Sequence, residues 1–362
     1  MALMHLFRHR SRSCRLAGGF HEPLLLAAVA LFAAGCAIIK PVPTPTPTPD
    51  PVPTSIIASG AFARPAISVA QDGSIHVAAE GPGMASLHLY THNNGTWAGG
   101  EIVRGTLQTA KRVYVPNVLP GLVSFRYGPK DGGEIQGPGI YRAGKESFLG
   151  FSTGAARLAL SKDGPILMSK DGIWQNLTTG QIGRYNAGLT GEKYAFVIDS
   201  SGIWHTAHNG SSRQASAVSI DGNRQTWASY ETYPEQGDDL RYVDICAANG
   251  KTYISTVYGG DNRVQVMDAG RPRYSLDALP SLGKATMEQR CPPRLVATPK
   301  GVVAIWRSGK AIVAVNVEQA LAGTAKPAQI ATGEFPAAAV GPTGKIHLVY
   351  VSNGLHHKEI AL

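Results

Sequence analysis

The basic residues of this chain keep a common spacing. Arg64, Arg112, Lys193 and Arg241 each stand nine residues ahead of a turn glycine, and Arg157 and Arg294 stand seven ahead of theirs. If the segments carrying them surround an axis, these cations form a collar. A collar concentrates anions, and each guanidinium offers a fork of donors that fits a carboxylate or sulfate. The same side chains could equally cap carbonyls of a neighbouring segment or project into water. A second set mixes rings with charges: Arg126 and Tyr127 in RYGPKDGGE, Tyr258, Asp261 and Arg263 in YGGDNR, and Trp306 in IWRSG. That mixture suits a sugar, which takes ring stacking plus hydrogen bonds, and it suits a protein interface.

His76, His205 and His347 each follow a turn glycine by three residues. Spread around a ring, equivalent positions lie too far apart to share an ion at about 2 Å per ligand. They are expected to pack and hydrogen-bond, and no metal is expected. His356 and His357 are neighbours on one strand pattern and so face opposite ways. HExxH, P-loop and CxxC patterns are absent, so no cofactor is implied, and no catalytic residue is assigned.

The elements that position these groups repeat. Turn glycines fall at Gly73, Gly121, Gly164, Gly202, Gly250, Gly301 and Gly344, about 45 residues apart. Each is flanked by short apolar runs such as PAISVA and SIHVAAE, or PAAAV and KIHLVYV. Glycine there supplies the positive φ a tight hairpin needs. With 42 Gly, 24 Pro and 16 % charged residues, the chain reads as a turn-rich, many-stranded β protein. A 45-residue period is that of a propeller blade, a four-stranded sheet sandwiched between two others. The expected fold is therefore an all-β, seven-bladed β-propeller over residues 55–362, with six or eight blades as alternatives. The last repeat lacks a fourth strand, and SIIASG, residues 55–60, is placed to supply it and close the ring.

Residues 1–35 have a basic stretch and then the apolar run PLLLAAVALFAA, the pattern of an export signal. The run ends in AAGC, which resembles the lipobox of bacterial lipoproteins and implies lipidation of Cys36. Residues 36–54 follow as a Pro/Thr-rich tether whose 15 residues from Lys40 to Thr54 extend to about 45 Å as a polyproline-like spacer. Ala37 after the lipidated cysteine implies, by lipoprotein sorting rules, the outer membrane, with the lipid as the sole membrane contact. Of the formal charge of +9, the leader carries four Arg against Glu22, which leaves a moderate excess on the body. Export and mild charge argue against nucleic acid. Cys246 and Cys291 remain as a pair in an oxidising compartment such as the periplasm, where a disulfide or two free thiols are both open.

FARPAISVAQDGSIHVAAEG resembles the repeats of sialidase-like, BNR-type propellers, in which Arg-Pro precedes an inner strand and a D-G hairpin. The resemblance implies that Arg64 stands where the first carboxylate-clamping arginine of sialidases stands. The Asp box of that family is incomplete, with only NNGTW and SKDGIW as fragments. The expected function is a monomeric, surface-tethered propeller lipoprotein that binds an anionic glycan or an envelope protein at its channel mouth. The alternative is a glycoside hydrolase or polysaccharide lyase acting on acidic polysaccharide.

Overall fold

A computed structural model describes residues 54–361, apart from 105–110, 130–135, 149–155, 170–171, 185–193, 212–213, 222–223, 232–242, 259–261, 269–272, 276–279 and 287–292. The leader, Cys36 and most of the tether lie outside the described residues.

Among the described residues the apolar runs form strands, and the strands form seven sheets, six of four strands and one of five. Sheet 1 contains Ala63–Val69, Ile75–Glu80, Ser86–Asn93 and Thr96–Arg104 in consecutive antiparallel order. The first two strands of the next five sheets are Lys111–Leu119 and Leu122–Pro129, Ala156–Ser161 and Gly164–Ser169, Tyr194–Ile198 and Trp204–Ser211, Val243–Ala248 and Lys251–Tyr258, and Arg294–Thr298 and Gly301–Ser308. The fifth strand of sheet 4, Arg273–Ser275, joins in parallel from the connection that follows the third strand of sheet 5. Sheet 7 contains Glu334–Val340, Ile346–Val351 and Gly354–Ile360, and its outer place is taken by Thr54–Ser59. Ser55 pairs with His357 and Thr54 with Lys358, so the two ends of the propeller share one sheet, as the missing fourth strand predicts. The first strands of successive sheets lie side by side, and that of sheet 7 adjoins that of sheet 1. The fold is an all-β propeller.

The repeated phrase folds identically in three copies. Gly73, Gly202 and Gly344 have φ of 84°, 83° and 78°. Each donates its N–H three residues back, to Ala70, Asp199 and Gly341, at 2.9–3.0 Å. The apolar runs pack sheet against sheet. Ile57, Val349 and Leu355 of sheet 7 meet Ile75 and Val77 of sheet 1, and Ile305 of sheet 6 meets Leu348 of sheet 7. Side chains with apolar neighbours on both faces of a strand explain runs that do not alternate.

Two expectations fail here for one reason, that the second strands run further than their apolar patterns suggest. Trp306 is not on a loop. It lies within Gly301–Ser308, only 2 % exposed between sheets 5 and 6, with its indole N–H donated to the Lys284 carbonyl at 3.2 Å. Arg126 likewise lies within Leu122–Pro129 and is 2 % exposed. Of the two remaining cysteines the structure describes one. Cys246 is a free thiol, buried beside Tyr253, Val302 and Trp306. It packs as a small apolar group, and burial, with Asp244 and Glu318 nearby, pushes its pKa up to about 12. Cys291 lies outside the described residues.

Candidate functional site

The first strand of each sheet is an edge, and an unpaired edge leaves a row of N–H and C=O groups that need partners. Side chains from the preceding sheet supply some of them. Asn117 Oδ1 accepts the N–H of Leu158 at 3.2 Å, and Asp244 Oδ2 accepts that of Leu295 at 2.9 Å. The Ser255 hydroxyl donates to the Pro293 carbonyl at 2.7 Å. Arg157 Nε donates to the Tyr194 carbonyl at 3.3 Å, with its guanidinium 5.9 Å from the centre of the Tyr194 ring. The phenol of Tyr194 is fixed in turn by donating to the Met168 carbonyl at 2.6 Å.

This edge-capping layer gathers charge. Arg157, at the start of the first strand of sheet 3, acts electrostatically on Arg294, Arg126 and Asp244, which come from sheets 6, 2 and 5. Arg157, Arg294 and Asp244 are each half-buried. Burial is the main influence lowering the Arg157 pKa. Arg294 and Arg126 add to that, while Tyr194 and Asp244 oppose it. A guanidinium does not lose its proton in a protein, so this direction describes a cation stripped of water by burial. Burial raises the Asp244 pKa, against the pull of Arg294, the Leu295 N–H and Arg157. The buried Nε of Arg294 has no hydrogen-bond partner among the described residues.

The predicted collar is thus only partly assembled. Arg157 and Arg294 influence each other electrostatically, and Arg126 acts on Arg157 from within a strand. Arg64 is committed elsewhere: its Nε and Nη2 donate to Glu80 Oε2 at 2.9 and 2.6 Å, and the Glu80 side chain is fully buried. Arg263 opens the third strand of sheet 5, Arg263–Asp268, away from the first-strand edges. Lys193, Arg241 and Asp261 lie outside the described residues, as do the side chains of Arg112, Tyr127 and Tyr258. Glu80 and Asp244 are not among the residues that the spacing picks out. The signal was present, since Asp244 is the one acid in the apolar run YVDICA and Glu80 ends HVAAE.

The histidines pack and hydrogen-bond, as expected. His205 Nδ1 and the Thr252 hydroxyl lie 3.0 Å apart across sheets 4 and 5, and His205 Nε2 is 3.0 Å from Asp199. His76 lies between Thr91 and Ser74 at 3.3 and 3.2 Å. His347 Nδ1 is 3.1 Å from His357 Nε2. His356, on the opposite face, stacks on Tyr350.

No protein-family model and no curated protein matches the sequence. Solved structures resemble the fold. A chain of the mitotic checkpoint complex matches with a TM-score of 0.54 at 10 % identity, over 89 % of this chain and 98 % of that one. Trypanosoma rangeli sialidase in complex with sialic acid matches with a TM-score of 0.44 at 12 % identity, over 83 % of this chain and 54 % of the other. This chain thus spans about half the length of that enzyme. An Aleuria aurantia lectin variant in complex with Fucα1-6GlcNAc matches with a TM-score of 0.42 at 13 % identity, over 85 % and 93 %. At these identities the likeness is one of fold.

Proposed function

We propose that this protein is a monomeric, surface-tethered lipoprotein whose propeller, one blade per sheet and seven in all, binds an anionic glycan at the mouth of its channel. The observation that carries the reading is the charge imbalance around Arg157: Arg157, Arg294 and Arg126 share one region with Asp244 as the carboxylate acting on Arg157. A carboxylate- or sulfate-bearing sugar entering there gains charge-assisted hydrogen bonds, each worth about 1.5–3 kcal/mol. An anionic patch on an envelope protein is the competing occupant.

A glycan array probed with the protein tests the reading. Acidic glycans are retained, retention falls with salt, and Arg157→Gln or Arg294→Gln weakens it tenfold or more. Indifference to both substitutions refutes it. The hydrolase or lyase alternative draws on Asp244, whose raised pKa is the direction a general acid requires. Its oxygen is tied to the Leu295 N–H, which favours the structural role. Shorter products after incubation with a retained polymer would decide for the enzyme.

A further inference from the structure

A cleft of about 840 Å3, whose lining includes none of Arg126, Arg157 and Arg294, lies at the junction of sheets 6, 7 and 1. Its walls are two connections between sheets and two hairpin turns within them. Gly60–Phe62 carries the chain from the closing strand into sheet 1, and Thr332–Glu334 carries it from sheet 6 into sheet 7. The hairpin turns at Arg307–Lys310 and Val351–Gly354 complete it. All four lie at the end of the ring where the first strands begin, which is also the end that bears Arg157 and Arg294.

The lining is built. Arg307 Nη2 pairs with Glu334 Oε1 at 2.9 Å, its Nε donates to the Gly309 carbonyl at 2.8 Å, and the Gly333 N–H donates to the Lys310 carbonyl at 3.1 Å. Phe335, the residue after Glu334, has φ of 50° at a bulge before Pro336. A left-handed aromatic residue ahead of proline is strained backbone, of the kind that clusters at binding sites. Three glycines leave main chain at the cleft surface: Gly60 and Gly354 have φ of 124° and 152°, and a Cβ on Gly333 would meet the Val351 carbonyl at 2.6 Å. Phe62 forms an apolar wall, held edge-on by His88 at 5.3 Å. Two cations therefore face one carboxylate, and the ammonium of exposed Lys310 makes no ion pair among the described residues.

We propose that this cleft is a second, off-axis saccharide site for one acidic sugar unit. The sugar carboxylate sits on Lys310, its hydroxyls meet Ser352, Asn353 and the glycine main chain, and its apolar face rests toward Phe62. One unpaired cation among neutral hydrogen-bonding groups fits a uronic-acid type of ligand better than a phosphate, which calls for several cations. The volume is that of ordinary small-ligand sites, about 300–1,000 Å3. The site shares its ligand class with the proposed function but does not need the channel. Because its walls include the segment after the closing strand and the last sheet, bound sugar also holds the ring shut and raises the melting temperature.

Calorimetric titration of the full chain with galacturonic acid and pentagalacturonate tests this, using Lys310→Glu, the cleft-filling Thr332→Trp and the channel variant Arg294→Gln. Each cleft variant is expected to weaken binding tenfold or more while melting as the wild type does without ligand. Both positions are exposed, so folding is not at issue. Loss confined to the cleft variants upholds the cleft and counts against the channel. Loss confined to Arg294→Gln overturns the cleft and leaves the channel standing. No heat with either sugar overturns the cleft, and so does a poly-glutamate peptide that binds as tightly and is lost in Lys310→Glu.

Discussion

Two sides of the ring treat buried polar groups in opposite ways. In sheets 7 and 1 several buried polar side chains are matched: Glu80 has Arg64, His347 has His357, and Trp97 donates to Ser55 at 3.3 Å across the seam. Around Arg157 the same kind of first-strand edge carries three cations to one carboxylate among the described residues. A matched group contributes to holding sheets together, whereas an unmatched cation waits for an anion. Position in the repeat therefore does not define a binding residue, because Arg64 and Arg157 both open first strands and differ in what stands beside them.

The largest effect that would break this contrast is at Arg64. Arg64→Ala leaves the Glu80 carboxylate buried without its cation, and denaturant unfolding should show a loss of about 3–5 kcal/mol. Acidic-glycan affinity, measured well below the new midpoint, should not change. A large affinity loss at intact stability would instead place Arg64 in the binding site.

Next is acid at the closing seam. Burial first, then His347 and His92, push the His357 pKa down to about 4, with Glu359 opposing. In the unfolded chain the ring titrates near 6.5. Between those values the unfolded chain binds the extra proton, so stability present above about pH 6.5 is lost as pH falls toward 4. The loss amounts to about 3 kcal/mol at most. His357→Gln should flatten that part of the stability–pH curve, and an unchanged slope would show that other groups set it.

Asp244→Asn sharpens the comparison from the other side. The amide oxygen still accepts the Leu295 N–H, but the cations lose the Asp244 carboxylate that acts on Arg157. A loss of about 1–3 kcal/mol is expected, with part of it restored by sulfate and with tighter binding of acidic glycans. Weaker glycan binding would mean that the carboxylate itself contacts the ligand. The smallest effect is a control: Leu160 is 60 % exposed, and Leu160→Lys should shift stability by no more than about 0.5 kcal/mol.

The repeat was legible because a hairpin is local. AQDG, DSSG and GPTG each specify a turn within a few residues, and glycine alone tolerates the φ near 80° found there. Ring closure was legible too, from a repeat one strand short and a strand-like segment at the other end. The candidate site was only half legible. Offset counting found Arg157 and Arg294 but treated Arg64 as their equivalent, because Glu80 lies 16 residues away on the next strand. Trp306 was misplaced because an apolar pattern does not show where a strand ends when both of its faces are covered.

What the sequence by itself determined is the period, the turns, the strands and the joining of the two ends, all of which follow from local backbone preference and counting. The tertiary structure alone decided which charges meet. Coulomb energy depends on through-space distance and burial, and four sheets far apart in the chain bring Arg126, Arg157, Asp244 and Arg294 within range of one another.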